Sequence, residues 1–334
     1  MISALTRHVP VLVNEVVAAL APQSGEIFVD GTFGRGGYTR HILTSATCTV
    51  YGIDRDPAAV AVGQALMQDL PERFVMLHGT FSNMIDLLSP YSVKTVDGIA
   101  LDLGVSSPQF EQAERGFSFQ NDGPLDMRMS SQGPTAADLV NGLPEAELAD
   151  VLFAYGEERK SRRIAKAIIT RRADQRFERT GDLARVVAQA VSGFRKIHPA
   201  TKTFQALRIA VNQELDELTS VLDTAERILK PAGRLAVVTF HSLEDRIVKH
   251  FLQDRSNARP RASRHIPVAT NDIKPTFQLV FRGAKVPTEQ EVEGNRRARS
   301  AKLRAARRTD APIANKTTTM GPTAEGLVTN GGVS

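Results

Sequence analysis

Residues 26–37, with the sequence EIFVDGTFGRGG, decide the fold of this chain. A short run of apolar and β-branched residues ends in Asp30, and a glycine-rich turn then opens onto helix-like sequence from Tyr38 to Leu43. This order predicts a strand, a tight turn and a helix N-terminus, which is the first unit of an open α/β sheet. Glycines let the backbone approach a ligand closely, and a helix N-terminus favours negative charge nearby.

The spacing of the glycines separates two kinds of nucleotide-binding turn. The dinucleotide fingerprint Gly-x-Gly-x-x-Gly begins at Gly34 and Gly36 but fails at its third position, which is Thr39. Nucleoside-dependent methyltransferases have an acid before Gly-x-Gly. Asp30 matches that acid, and Thr32 stands where a further glycine is usual. The turn favours a nucleoside ligand, although an ordinary strand-to-helix turn fits the same residues.

Two more acids end predicted strands. Residues 50–53 predict the second strand, which ends at Asp54, 24 residues after Asp30. A carboxylate at this distance from the glycine turn accepts hydrogen bonds from ribose hydroxyls. Residues 96–101 predict a fourth strand that ends at Asp102. Because open α/β sheets bind ligands at the carboxyl ends of their strands, the three acids together predict a nucleoside site.

Residues 73–77 predict the third strand, and the loop that follows it contains Phe81. In nucleoside sites this loop flanks the base, so the phenylalanine ring is a candidate apolar face for adenine. A position in the hydrophobic core fits the sequence equally well.

Composition describes an ordinary globular protein. The chain has 334 residues, of which 42% are hydrophobic and 24% charged, a length that suggests about two domains. One cysteine, Cys48, excludes an internal disulfide and fits a reducing cytoplasm. No signal-peptide pattern or long apolar run is present, so we expect a cytoplasmic protein with no membrane partner. The sequence predicts no metal site.

Positive charge is concentrated in two segments. Residues 155–208 contain 14 Lys or Arg against 5 Asp or Glu, and residues 295–309 contain seven Lys or Arg and no acid. Clusters of this kind indicate a polyanionic partner such as RNA. A solvated charged face is the alternative for either segment.

The alternation of strands and helices stops after Gln109 and resumes near residue 223. A loop rich in Gly and Pro and a series of helical patterns lie between, so residues 111–222 predict an inserted loop and helical subdomain. The α/β domain is therefore predicted to be discontinuous, over residues 1–110 and 223–308. The predicted helices of the insertion cover residues 146–154, 159–172, 181–192 and 204–222.

The C-terminal part of the chain completes the sheet. Residues 234–240 predict a strand, after which Ser242 is predicted to cap a helix. Residues 253–275 are predicted to form a mobile loop. From residue 309 onwards Gly, Thr, Pro and Asn dominate, which predicts a disordered tail over 309–334.

Several longer strings are specific enough to indicate a family. They are HVPVL (8–12), DGTFGRGG (30–37), GIDRD (52–56), LDLGVSSPQ (101–109), ERGFSF (114–119), DGPLDMRM (122–129), YGEER (155–159), TFQALR (203–208) and FHSLEDR (240–246). From about residue 8 to 308 the chain resembles the bacterial 16S rRNA (cytosine-N4)-methyltransferase family (MraW/RsmH).

The resemblance implies a class I, Rossmann-like methyltransferase sheet with an inserted helical subdomain, using S-adenosyl-L-methionine. The cofactor contacts of the family fall on Gly36, Gly37, Tyr38, Asp54, Phe81, Asp102 and Gln109. To these the pattern of the turn adds Asp30 and Gly34. The family usually has histidine where this chain has Tyr38. By resemblance the partner is 16S rRNA or the small ribosomal subunit, and the target is cytosine 1402 of the decoding region.

The loop from Asp102 to Phe110 is the candidate acceptor site. Other amino-methyltransferases place a short polar loop with prolines after this strand to align the target amino group. Ser106 and Ser107 are therefore candidates to receive the base, although both also fit as turn residues. Asp102, the third catalytic candidate, fits the cofactor side better, and His241 fits either an approach to the base or a helix cap. A base that enters this loop must first be unstacked from its neighbours.

Three other functions remain open from the sequence alone. A dinucleotide-dependent dehydrogenase is disfavoured by Thr39. A non-enzymatic RNA-binding ribosome-assembly factor is disfavoured by the three acids at strand ends. A methyltransferase that acts on another nucleic acid fits the same residues.

Overall fold

The computed structural model describes residues 10–191, 197–256 and 274–313, and contacts divide them into two compact units. The first unit comprises the described residues of Met1–Gln109, Met129–Gly133 and Gln213–Pro312. The second comprises those of Phe110–Arg128, Pro134–Asn212 and Ile313–Ser334. Most of the segment predicted as an insertion thus lies in the second unit, while its residues 129–133 and 213–222 lie in the first.

The first unit is built on one sheet. Its strands are β1 (Ile27–Asp30), β2 (Thr49–Asp54), β3 (Phe74–His78), β4 (Val96–Asp102), β5 (Leu229–Thr239), β6 (Phe277–Leu279) and β7 (Lys302–Arg308). They lie in the order β3-β2-β1-β4-β5-β7-β6. Strands β1 to β5 pair in parallel, whereas β7 runs antiparallel between β5 and β6. This order and direction confirm the predicted class I methyltransferase sheet, and the order reverses between β1 and β4, where such sheets bind ligands.

Thirteen α-helices complete the described chain. They are α1 (Val13–Leu20), α2 (Gly37–Ser45), α3 (Pro57–Asp69), α4 (Met84–Leu88), α5 (Ser107–Glu111), α6 (Ala136–Gly142), α7 (Glu145–Gly156), α8 (Ser161–Asp174), α9 (Thr180–Ala190), α10 (Ala200–Asn212), α11 (Glu214–Ile228), α12 (Ser242–Arg255) and α13 (Glu289–Gly294). None of these described helices is long and apolar enough to cross a membrane.

The sheet is buried on both faces, which explains its continuous apolar strands. Successive residues of a strand point to opposite faces, and accordingly Phe28 and Val29 belong to two different hydrophobic clusters. On one face Val29 packs in a cluster with Val221 of α11 and Val248 of α12. On the other face Phe28 packs with Ile42 of α2. This packing holds the carboxyl ends of the strands at one edge.

Two sequence expectations about helices were wrong. The helix expected over residues 204–222 is two helices, α10 and α11, because Gln213 has a left-handed backbone with φ of 51°. The cap of α12 is His241 and not Ser242: the His241 side chain accepts the Glu244 N–H, and the Glu244 carboxylate accepts the His241 N–H, which forms a capping box.

The predicted loop and tail fall mostly outside the described residues. Residues 257–273 of the loop and 314–334 of the tail are not described. The first residues of the predicted tail do have a defined place: the Thr309 N–H donates to the Thr276 carbonyl over 2.9 Å, and Ala311 is buried.

Candidate cofactor and acceptor site

Asp30 holds the glycine turn from inside. It is 1% exposed, and its Oδ2 accepts from both the backbone N–H and the hydroxyl of Thr39, over 3.2 and 2.7 Å. Its Oδ1 accepts the Thr32 N–H over 3.3 Å. Burial raises the pKa of Asp30 to about 6, although these hydrogen bonds lower it. The structure gives this acid a role in shaping the turn, and its predicted contact with the cofactor stays a prediction.

The turn needs its glycines for two reasons. Gly34 and Gly36 have left-handed backbones, with φ of 55° and 74°. A Cβ on Gly36 would also lie 2.7 Å from the ring of Phe33, and a Cβ on Gly37 would collide with the side chain of Pro10. The glycines therefore let the turn pack closely against Phe33 and Pro10 just before the start of α2, where N–H groups without helical partners favour an anionic or polar ligand.

Asp54 lies beside this turn at the end of β2. Its Oδ2 accepts the Gly34 N–H and its Oδ1 accepts the Asp56 N–H, each over 2.8 Å. Burial raises the pKa of this carboxyl, and the two backbone donors work against that rise. The side chain is half-buried, so it combines a fixed orientation with access for ligand hydroxyls. This geometry fits the predicted ribose contact.

Asp102 ends β4 with a buried acceptor. Its backbone N–H donates to the hydroxyl of Thr32 over 2.6 Å, so the threonine that replaces a glycine ties the turn to β4. Within the described chain its Oδ1 is buried and makes no hydrogen bond. Burial, and then the charge of Asp30, raise the pKa of Asp102 to about 8. A buried acceptor of this kind points to a donor or cation that the ligand would bring.

Tyr38, which stands where the family usually has histidine, turns its ring into the protein. The residue is 3% exposed, and its hydroxyl donates to the Val11 carbonyl over 2.6 Å. Burial and the nearby Asp102 raise the pKa of the phenol well above its ordinary value. A ligand would therefore meet the backbone of residue 38.

Gln109 connects the acceptor loop to the loop after β2. Its Nε2 donates to Asp56 Oδ2 over 2.7 Å, and its Oε1 accepts the Ser106 N–H over 2.9 Å. The sequence reading missed Asp56, whose Oδ1 also accepts the Ala58 N–H at the start of α3. An acid followed by proline at the first helical position is a recognisable cap signal. The amide of Gln109 thus fixes Ser106 and the entrance to α5.

The other candidates occupy separate places. Phe81 is half-buried and packs against the hydrophobic cluster that includes Val221 of α11, and its predicted contact with the cofactor stays a prediction. Ser107 is the first residue of α5. His241 caps α12, which supports the capping alternative. Cys48 is buried just before β2, and burial raises the pKa of its thiol.

The predicted basic segments divide into exposed and structural cations. In the second unit, α8 exposes Arg162, Arg163 and Lys166 on the face opposite its buried residues. In the first unit, Arg296 and Arg299 are exposed. The rest of the segment over residues 295–309 is largely committed to the fold: Lys302 and Arg304 pair with Asp245, Arg307 donates to the Ala232 carbonyl, and Arg308 is buried and donates to backbone carbonyls. The second segment is thus only partly available to RNA.

Known proteins are similar to this chain over most of its length. The sequence profile of the MraW methylase family matches residues 5–309. Proteins named ribosomal RNA small subunit methyltransferase H are similar along almost their whole length. The one from Paramagnetospirillum magneticum is 58% identical over 308 residues, 91% of this chain and 96% of that protein. The one from Caulobacter vibrioides is 56% identical over 308 residues, 92% of this chain and 97% of that protein.

Among solved structures, an rRNA methylase from Streptococcus thermophilus is similar at 10% identity with a TM-score of 0.39, over 89% of this chain and 93% of that one. This likeness is too distant to carry an argument about function.

Proposed function

The chain belongs to the MraW methylase family, and on that premise we propose that it methylates the exocyclic N4 of cytosine 1402 in 16S rRNA, in the cytoplasm. The methyl donor is S-adenosylmethionine. The observation that carries the proposal is the gathering of Asp54, Asp102 and the glycine turn at the switch point of the sheet. This is the place where a sheet of this topology binds a nucleoside.

The residues present fit a nucleoside that carries positive charge. Asp54 offers an oriented carboxylate for the ribose hydroxyls, and Phe81 offers an apolar wall for the base. The unpartnered Oδ1 of Asp102 offers a buried acceptor for an ammonium or sulfonium group. A cation there would lower the pKa of Asp102, because an opposite charge stabilises the ionised form.

When bound, S-adenosylmethionine supplies a methyl group on a sulfonium, which needs alignment more than activation. The protein therefore has to hold the acceptor nitrogen in line with the bond that breaks, and orientation of this kind contributes up to roughly 7–11 kcal/mol. We assign this positioning to the loop from Asp102 to Ser107, which Gln109 fixes at Ser106. Acceptors on this loop would draw the amino hydrogens aside, and the methylated nitrogen then loses a proton without a strong base.

Carbon methylation at the cytosine 5-position fits the geometry poorly. That chemistry normally uses a cysteine nucleophile, and the single cysteine, Cys48, lies at the amino end of β2. The six residues from Cys48 to Asp54 span about 20 Å in an extended strand. The thiol is thus separated from the edge where the acids gather, which favours nitrogen as the acceptor.

The proposal is tested with small subunits from a strain that lacks this protein. These subunits, and separately naked 16S rRNA, are incubated with purified protein and labelled S-adenosylmethionine, and the nucleosides are identified by mass spectrometry. We expect N4-methylcytidine at one position. 5-Methylcytidine would overturn the assignment of the atom, and methylation of another RNA would overturn the target. RNA binding with no methyl transfer would indicate an assembly factor.

A further inference from the structure

Three side chains that take no part in the proposed methyl transfer meet after β5. One carboxylate oxygen from each of Glu214 and Glu244 and one ring nitrogen of His241 lie within 4.8 Å of one another. Glu214 is the first residue of α11, while His241 and Glu244 cap the start of α12. We propose that this Glu214–His241–Glu244 cluster binds a divalent cation of the first transition series, with Mn²⁺ and Zn²⁺ as the fitting ions.

The helix cap accounts for only half of the polar atoms in the His241–Glu244 pair. Glu244 Oε2 accepts the backbone N–H of Phe240 over 2.8 Å and that of His241 over 3.2 Å. His241 Nδ1 accepts the Glu244 N–H over 3.4 Å. The cap is therefore made by Nδ1 and Oε2, and it does not use the second ring nitrogen of His241, Nε2.

The remaining ring nitrogen is the second observation that points to a ligand. His241 Nε2 is buried and makes no hydrogen bond within the described residues. It lies 3.1 Å from Glu244 Oε1, and the two side chains are only 10% and 3% exposed. Buried polar atoms normally have a partner, so an unsatisfied ring nitrogen beside the Glu244 carboxylate, in a cluster that also includes Glu214, marks a place for a missing group.

The distances and donor types suit a metal ion. Two ligand atoms at about 2.0–2.2 Å from one ion, at roughly a right angle, are themselves about 3 Å apart, which matches the separation of Nε2 and Oε1. Carboxylates alone favour Mg²⁺ or Ca²⁺, whereas an imidazole ligand shifts the preference towards transition metals. Three protein ligands leave further positions for water or for an oxygen atom of a substrate.

Metal binding would change the tautomer of His241. Nδ1 now accepts a hydrogen bond, so the neutral ring carries its proton on Nε2. A cation at Nε2 requires that proton to leave, and the ring stays neutral by carrying one on Nδ1 instead. The 3.4 Å contact with the Glu244 N–H would then be lost. The ring nitrogens therefore provide a spectroscopic signature that is independent of enzyme activity.

The site would lie one strand away from the acceptor loop. β4 and β5 are neighbours in the sheet, and Asp102 pairs with Val238, three residues before His241. A cation held there would be placed to bind an oxygen atom near the acceptor loop. Binding of the cation itself does not depend on the proposed methyl transfer, so failure of either proposal leaves the other intact.

The test is titration of the full-length, chelator-treated protein with MnCl₂, ZnCl₂ and, for comparison, MgCl₂, by calorimetry and by electron paramagnetic resonance for Mn²⁺. We expect one Mn²⁺ or Zn²⁺ per chain, bound more tightly than Mg²⁺. Glu214→Gln and His241→Asn should each weaken that binding by at least about tenfold. Asparagine is a good helix cap, so His241→Asn preserves the start of α12. Asp216→Asn, on the exposed side of α11, is the matched control and should bind normally.

The folded state of each variant and the position of the His241 ring proton are measured in the same samples. The thermal midpoint and S-adenosylmethionine affinity of each variant establish that it is folded. In ¹⁵N spectra the cation should move the His241 proton from Nε2 to Nδ1. The proposal is overturned if neither Mn²⁺ nor Zn²⁺ binds at one per chain. It is equally overturned if folded Glu214→Gln and His241→Asn proteins bind these ions as tightly as the unaltered protein does, because the ions would then be bound by other residues.

Discussion

The carboxylate of Asp54 provides the sharpest test of the cofactor site through Asp54→Ala. Two of the roughly four acceptor positions of a carboxylate are used by the N–H groups of Gly34 and Asp56, each over 2.8 Å. The half-buried side chain keeps capacity for the two ribose hydroxyls of the cofactor. Alanine removes all of these acceptors, so the variant loses contacts with the ligand and also the brace on the glycine turn.

The size of the effect follows from hydrogen bonds to a charged group, which contribute about 1.5–3 kcal/mol each. Water replaces part of this loss at a half-exposed site, so we expect the affinity for S-adenosylmethionine to fall roughly 10- to 100-fold, or about 1.4–2.8 kcal/mol. Asp54→Asn should also bind weakly. Its amide has one oxygen, and its NH₂ group would face one of the two backbone N–H donors.

Calorimetry with S-adenosylmethionine measures the affinity, and thermal unfolding shows whether each variant is folded. Asp69→Ala, which removes an exposed acid from the end of α3, is the control for the change in charge and should bind normally. Unchanged affinity in a folded Asp54→Ala protein would refute the ribose contact. An equal loss in the Asp69→Ala control would show that the effect reflects net charge alone.

Three further outcomes are expected. Burial raises the pKa of Asp102 from 3.8 to about 8, so between about pH 4 and 8 the folded protein binds more protons than the unfolded chain. The free energy of unfolding should therefore fall as pH rises through that window. Asp102→Asn should reduce this pH dependence, measured by thermal unfolding without ligand. Reversing Arg162, Arg163 and Lys166 together to glutamate should weaken rRNA binding and make it less dependent on salt, with S-adenosylmethionine affinity unchanged; unaltered RNA binding would leave α8 a solvated face. Cys48→Ser should keep methyl transfer and its product while lowering the thermal midpoint, and a folded variant without turnover would contradict nitrogen as the acceptor.

Local sequence determined the core of the fold and the place of the site. The run into Asp30, the glycines after it and the start of α2 adopt their structure through backbone preferences within about a dozen residues. The strand ends at Asp54 and Asp102 were predictable for the same reason, since an apolar strand that stops at an acid is visible without knowing its neighbours. Once parallel pairing was inferred, their common edge followed.

Tertiary structure alone decided which side chains become partners in the candidate site and around it. The bond from Gln109 to Asp56 joins residues 53 apart in sequence, and the commitment of Arg304 to Asp245 joins residues 59 apart. Neither pair has a periodic or compositional signal. The break at Gln213 also depends on packing, because helix propensity alone would continue α10 into α11. Sequence pattern specifies short-range geometry, whereas partners distant along the chain are chosen by how the elements pack, and this is why the exposed cations and the Glu214–His241–Glu244 cluster emerged only from the folded protein.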